Sequence, residues 1–414
     1  MKTVDVREAI TRAHHEEWAR VVAALTRRFG DLDIAEEAAA EAFATAVERW
    51  PADGVPPNPG AWLTTTANRK AIDRIRRENQ RDGKHKEAQM VVGPPDPPDP
   101  PAPIGAIDDE RLRLIFTCCH PALAIQTRVA LTLRMVAGLT VPEIARAFLV
   151  QESTMGQRIT RAKAKIKAAR IPYRVPAAED LPARISGVLA VLFLVFNEGY
   201  LATGPDTDPV RHDLTAEAIR LTRLIRALMP QDGEVAGLLA LMLLTEARRT
   251  ARVSASGELV TLDEQDRGAW DVGLVAEGHR LVRERLAAGV APGRYQILAA
   301  INAVHTSARD VRDTDWSQVV ALYDQLVRLD PSPIVALNRA IAIAELDGPE
   351  VALAAVDRLG DTLAGYHAYH ATRADLLRRL GRSQKSRAAY DKAIELAGNT
   401  AETAYLTRRR DQLG

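Results

Sequence analysis

Seven prolines crowd the stretch VVGPPDPPDPPAPIGAID at 91–108. Proline fixes φ and has no backbone N–H to donate, so such a stretch cannot enter a helix interior or a sheet ladder. It behaves as a semi-rigid, extended spacer. The chain on either side must therefore fold as separate modules, and 414 residues leave room for two to four of them.

Behind the spacer, LTVPEIARAFLVQESTMGQRITRAKAKIKAAR at 139–170 carries the punctuation of a helix-turn-helix. Thr140 caps a first helix and Glu143, three residues on, completes a capping box. Ile144 and Ala145 supply its buried face, and Phe148 to Gln151 form the turn. Met155, Ile159, Ala162 and Ile166 then recur at three- and four-residue steps and give the second helix one apolar stripe. From Ser153 to Arg174 there are seven Lys or Arg and no acid. Such a helix offers cations to a major groove while its stripe packs on the first helix, which makes nucleic acid the first partner to consider.

The net charge of +1 excludes a uniformly basic shell. Positive charge is concentrated instead, with eight basic against three acidic residues from Arg69 to Lys86, as suits a protein that engages DNA along part of its surface. The two cysteines, Cys118 and Cys119, are adjacent, so a disulfide framework is excluded and a reducing compartment is expected. With His120 they resemble metal ligands, but three adjacent residues rarely supply a tetrahedral site, and burial at a helix boundary is the expected role. The N-terminal residues lack an apolar signal region. The apolar run Ile185 to Phe196 is too short to span a bilayer. A cytoplasmic protein without a membrane partner is expected. No Walker loop, dinucleotide fingerprint, zincin motif or nucleophile elbow occurs, so neither catalytic residues nor a metal or cofactor is assigned.

Ahead of the spacer, DIAEEAAAEAFATAVERW at 33–50 is an acidic helix, and PGAWLTTTANRKAIDRIRRENQR at 59–81 a basic one after the proline-rich break at 51–60. One surface suits a basic protein partner and the other a phosphate backbone. Trp62 could stack on an unpaired base, but Leu63 and the apolar turns after it favour a core role.

These two modules resemble regions 2 and 4 of an extracytoplasmic-function (ECF) type RNA polymerase sigma factor of the sigma-70 family. The region 2 pattern is carried by Glu36, Glu37, Glu41 and Phe43, then Trp62, Leu63, Ala67, Asn68, Asp73, Arg76 and Arg77, with Ala40 where the family usually has Gln. The region 4 pattern is carried by Arg134, Gly138, Leu139, Glu143, Ile144, Ala145, Thr154, Arg158, Arg161 and Ala162. Leu149 replaces the usual turn glycine, and Gly156 lies inside the second helix. FTCCHPAL (116–123) and VLFLVFNEGYLATG (191–204) are similar to a subgroup with a C-terminal tetratricopeptide-like extension.

The resemblance implies an all-α protein that binds core RNA polymerase and promoter DNA. Its expected domains are region 2 at 1–87, linker at 88–107, region 4 at 108–172, a helical extension at 180–290 and tetratricopeptide-like repeats at 291–414. Core polymerase would be met by Asp33, Glu36, Glu37, Glu41 and Glu48. The −10 element would be met by Asn68, Arg69, Lys70, Arg76 and Arg77. At −35, Thr154, Gln157 and Arg158 would read bases while Arg161, Lys163 and Lys165 meet phosphates. The linker would span the distance between the two grips.

The extension itself is rich in Ala and Leu with helical periodicity. ALYDQLVRLDPSP (321–333) and AAYDKAIELAGNT (388–400) align with Tyr323 over Tyr390, an offset of 67 residues that fits twice the roughly 34-residue tetratricopeptide period. IVALNRAIAIAELDGPEVALAAVDRLG is the intervening repeat. In FNEGY, Asn197, Glu198 and Tyr200 form either a structural network at a helix end, with Gly199 giving the turn, or a pocket or docking point shared with His212 or His279. The extension would regulate the sigma module, dock on it, or recruit a protein partner. Two rival readings are a ligand-sensing helix-turn-helix regulator that acts without polymerase, and an enzyme in the extension with Glu198 as acid–base.

Overall fold

The computed structural model describes residues 6–83, 110–147, 150–177, 179–200, 212–254, 259–398 and 400–413. The spacer at 88–107 and the turn residues Phe148 and Leu149 lie outside them. The described residues form nineteen α-helices, three short 3₁₀ turns and a single bridge between Val253 and Leu259, so the fold is all-α. They divide into two compact units, Met1–Val195 and Phe196–Gly414, with the boundary inside a helix.

In the first unit, α1 (Val6–Phe29), α2 (Leu32–Asp53) and α3 (Pro59–Gly83) pack into a bundle. Asp31 caps α2 by accepting from the amides of Asp33 at 2.8 Å and Ile34 at 3.3 Å. Ala35, Ala38, Ala39, Ala42 and Ala46 form the buried face of α2, and such small side chains let neighbouring helices approach closely. Trp50 is buried at its end and meets half-buried Trp62 edge-on at 5.5 Å. The proline-rich break is shorter than its sequence suggests. Pro51 falls in the last turn of α2, and Pro59 begins α3, where no amide donor is required.

The helix-turn-helix follows α4 (Glu110–Cys118) and α5 (Ile125–Met135), and consists of α6 (Val141–Ala147) and α7 (Glu152–Ala168). Its capping box is present: the Thr140 amide donates to Glu143 Oε2 at 2.7 Å, and the Glu143 amide to Thr140 Oγ1 at 3.4 Å. Ile144, Ala145 and the stripe Met155, Ile159, Ala162 and Ile166 are all buried. Gly138 turns the chain into α6 with φ +73°, and a Cβ there would lie 3.0 Å from both His14 and Trp18. Cys118 and Cys119 are buried where α4 ends, and burial pushes the Cys119 thiol up to about 12.

Helix α8 (Leu181–Tyr200) carries FNEGY inside its last turns. The expected turn at Gly199 is therefore absent: this residue is buried within the helix, and α8 runs on through Tyr200. Among the described residues no helix is long and apolar enough to cross a membrane.

The second unit contains α9 (His212–Leu228), α10 (Gly233–Glu246), α11 (Val272–Ala287) and α12 (Arg294–Ser307). Every residue of α10 from Val235 to Glu246 is buried, which is why its apolarity runs right round the helix. The remaining helices are α13 (Trp316–Leu329), α14 (Pro333–Leu346), α15 (Pro349–Asp357), α16 (Gly360–Leu363), α17 (His367–Arg379), α18 (Ser383–Leu396) and α19 (Thr400–Asp411). Tyr323 lies on α13 and Tyr390 on α18, with the pair α14–α15 between them at the place of the intervening repeat. Leu337, Leu353, Leu376 and Tyr390 share one core, so each helix buries a face that it could not bury alone.

Two glycines make opposite predictions. A Cβ at Gly156 in α7 would touch only Val141 Cγ1, at an ordinary 3.9 Å, so Gly156→Ala should stabilise the first unit by about 1 kcal/mol through helix propensity. A Cβ at Gly237 in α10 would fall 2.5 Å from the Gln296 backbone nitrogen of α12. Gly237→Ala should therefore destabilise the second unit by about 1–3 kcal/mol. Urea unfolding of the two variants checks both signs.

Candidate nucleic-acid and partner interfaces

Helix α7 presents Thr154, Gln157 and Arg161 to solvent, with Arg158 half-buried beside them. Arg161 Nε donates to the Gln157 backbone carbonyl at 3.3 Å, and the four-residue spacing puts both residues on one edge of the helix. Lys165 is exposed, and its Nζ donates to the Ala122 carbonyl at 2.6 Å. These positions could face a duplex while the stripe holds the helix in place.

Lys163 is placed differently from its sequence assignment to a phosphate. It is 9 % exposed and lies between Asp33, at 2.5 Å, and Glu36, at 2.8 Å. Glu36 is also 9 % exposed, and its other oxygen accepts from Arg134 Nε at 2.6 Å. Arg134 is fixed in turn by the Leu139 carbonyl at 2.8 Å, and its own carbonyl accepts from the Trp18 indole at 3.2 Å. One turn further along α7, Lys167 reaches the capping residue Asp31 at 2.7 Å. The acidic start of α2 and the basic face of α7 thus meet each other.

The electrostatics follow the geometry. Burial alone would push the Glu36 carboxyl up, but Arg134 and Lys163 outweigh it and hold the group below its ordinary value. Burial would lower Lys163, and Asp33 with Glu36 reverses that shift upward. Both members are therefore ionised at neutral pH.

The other acids of α2 face α3 or solvent. Glu37 pairs with Arg74, Glu41 lies 3.7 Å from Lys70, and Glu48 is exposed. On α3, Asn68 donates to the Thr64 carbonyl at 2.9 Å and accepts from Arg28 at 3.2 Å. Arg69, Arg76 and Arg77 are exposed, with Arg77 Nε 3.3 Å from the Asp73 carbonyl. Asp31, Arg74 and Lys167 are contact residues to which the sequence reading gives no role, and Arg134, there only a match to the region 4 pattern, is here a partner of Glu36. The signal was available for Lys163, which lies four residues after Ile159 and three before Ile166, on the packing face rather than beside it.

In the second unit, the Arg252 guanidinium lies over the Tyr200 ring at 3.3 Å and donates to the Tyr200 carbonyl at 2.6 Å. Glu246 accepts from Arg249 and faces the His212 ring, each at 3.0 Å. His279 is engaged with Thr306 Oγ1 at 2.8 Å instead. Asn197 is exposed and Glu198 half-buried. Among the described residues no group of three or more His, Cys, Asp or Glu is arranged to hold a metal ion.

Residues 15–81 match the family model for sigma-70 region 2, and residues 113–166 that for sigma-70 region 4. Residues 184–286 match a family of unknown function (DUF6596). The chain is 44 % identical to "Uncharacterized protein R00370" of Rhizobium meliloti (strain 1021), across 95 % of this chain and 93 % of that protein. It is 28 % identical to the ECF RNA polymerase sigma factor SigK of Mycobacterium ulcerans (strain Agy99), across 38 % of this chain and 82 % of SigK. The corresponding SigK of Mycobacterium tuberculosis (strain ATCC 25618 / H37Rv) is 35 % identical across 25 % of this chain and 53 % of its own length. No solved structure matches. With the models for sigma-70 regions 2 and 4 matched in order and ECF sigma factors among its relatives, the chain is an ECF-type sigma factor that carries an α-helical C-terminal extension.

Proposed function

We propose that the chain binds core RNA polymerase and directs promoter-specific initiation, with α2 meeting polymerase, α3 the −10 element and α7 the −35 element. The observation that carries this reading is a capped helix-turn-helix, its outer edge formed by exposed Thr154, Gln157 and Arg161, in one unit with an acidic-and-basic helical bundle. A repressor needs the first feature and has no use for the second. Thr154, Gln157 and Arg158 read bases; Arg161 and Lys165 hold phosphates. The residues beyond α8 regulate the sigma module or recruit a partner. A cleft of about 620 Å³ in the second unit, walled by Trp316, Tyr323, Tyr405, Arg378 and Arg379, gives this extension a surface for partner side chains.

The purified chain should co-purify with core polymerase and support run-off transcription from a −10/−35 promoter. Duplex binding in a gel shift without any association with core, under conditions where another sigma factor associates, would favour the polymerase-independent regulator.

Within α7 the two classes of contact separate by mutation. Gln157→Ala should cost about 1–3 kcal/mol on the preferred promoter and relax base preference at one position. Arg161→Ala should weaken all duplexes alike and reduce the slope of log affinity against log salt by about 1. Binding measured across a salt series on two promoters distinguishes the outcomes.

A further inference from the structure

Helix α11 of the second unit sorts its charges by face. Glu277 pairs with Arg223 of α9 at 2.6 Å and Glu284 with Arg226, so these acids are engaged on one side. Val272, Val275, His279 and Arg283 recur at three- and four-residue steps and share another. That face walls a pocket of about 610 Å³, completed by the 3₁₀ turn Arg267–Ala269 and by Thr306 to Arg309. Small-molecule sites commonly occupy about 300–1,000 Å³, so the volume suits one.

The pocket has an excess of positive charge. The guanidinium groups of Arg267, Arg283 and Arg309 line it, and among the described residues no Asp or Glu does. Arg283 and Arg309 are exposed, and neither is paired with a described carboxylate. Arg267 donates only to carbonyls, those of His305 at 2.7 Å and Ala308 at 2.9 Å. Its Nη2 and the Nε1 of Trp270, a side chain 7 % exposed, are buried donors with no acceptor among the described residues. Burial and the field of buried Arg248 disfavour the Arg267 cation, against which Asp310 and Asp313 act. The neighbouring acids are committed elsewhere: Asp266 accepts from the Gly268 amide, Asp271 caps α11, and Asp310 pairs with Arg312 at 2.9 Å. An anion in the pocket would relieve this repulsion.

We propose that this pocket binds a small phosphate-bearing molecule with an apolar body, its phosphate held by Arg267, Arg283 and Arg309 and its body by Val272 and Val275. The proposal stands on the second unit alone and does not depend on the sigma-factor reading. Guanidinium forks match phosphate oxygens in pairs, and three of them suit a dianion better than a single carboxylate. Val272 supplies the second half of the specificity: it is 82 % exposed at the rim, an apolar side chain beside cations. A bound molecule would bridge the start of α11 and the end of α12, and so stabilise the extension against unfolding.

The test titrates the full chain by calorimetry with phenyl phosphate and with inorganic phosphate. Salt at about 0.15 M screens diffuse attraction to the cationic helices of the first unit. Phenyl phosphate should fill one site, about tenfold more tightly than inorganic phosphate. Arg283→Gln and Arg309→Gln, both at exposed positions, should each weaken both probes about tenfold. Arg328→Gln, an exposed position on α13 outside the pocket, should change neither. Val272→Ser should weaken phenyl phosphate about fivefold and leave inorganic phosphate as it is. No saturable binding, or equal binding by the wild type and the Arg283 and Arg309 variants, overturns the site. Benzoate bound as tightly as phenyl phosphate overturns the choice of phosphate. A phosphotyrosine peptide that binds more tightly than phenyl phosphate through the same arginines gives the pocket to a protein partner and overturns the small molecule.

Discussion

Two opposite charges taken out of water together tie the start of α2 to α7 in the first unit. Glu36 on α2 and Lys163 on α7 are each buried, and each has a second ionic partner, Arg134 and Asp33 respectively. Removing one member is destabilising, but the other charge is not stranded, since Glu36 keeps Arg134 and Lys163 keeps Asp33. Because Arg134 on α5 shares Glu36, three helices from two sequence modules are tied at one carboxylate. The apolar stripe of α7 packs on α5 and α6, and its lysines reach across to the acids at the start of α2. This division explains why a helix with so much positive charge is nonetheless well packed.

The same arrangement gives α2 two kinds of acid. Those at its start, Asp31, Asp33 and Glu36, are engaged with α7, whereas Glu37 and Glu41 pair with Arg74 and Lys70 of α3 and Glu48 is exposed. Most acids of this helix are thus partnered within the chain rather than offered as an open charged surface. The basic residues divide likewise. Arg69, Arg76 and Arg77 are open to solvent, while Lys70 is committed to its own bundle.

The sequence made the elements legible and left the contacts between them hidden. Helix limits, the capping box at Thr140 and Glu143, the buried stripe of α7 and the paired helices around Tyr323 and Tyr390 all follow from short-range periodicity and end chemistry, which the chain carries locally. The pairing of Glu36 with Lys163 spans 127 positions and lies across the spacer, so no local pattern reports it. Each residue alone gives a partial sign: Lys163 falls on the face of Ile159 and Ile166, and Glu36 on the face of Leu32 and Ala39. A charge on a buried stripe must find its counterpart, and reading the two stripes together would have predicted the pair. FNEGY was harder to place, because Gly199 signals a helix stop only where the backbone turns left-handed, and here it remains helical.

The adjacent cysteines have a consequence for chemical sensing. Both thiols are buried where α4 ends, Cys119 with its Sγ 3.6 Å from Thr132 Oγ1, and burial drives both toward the protonated form. Only a thiolate is a good nucleophile toward peroxide or a disulfide, so these sulfurs remain inert while the unit is folded. Direct oxidation of these two cysteines therefore waits on an opening of the helix end that buries them.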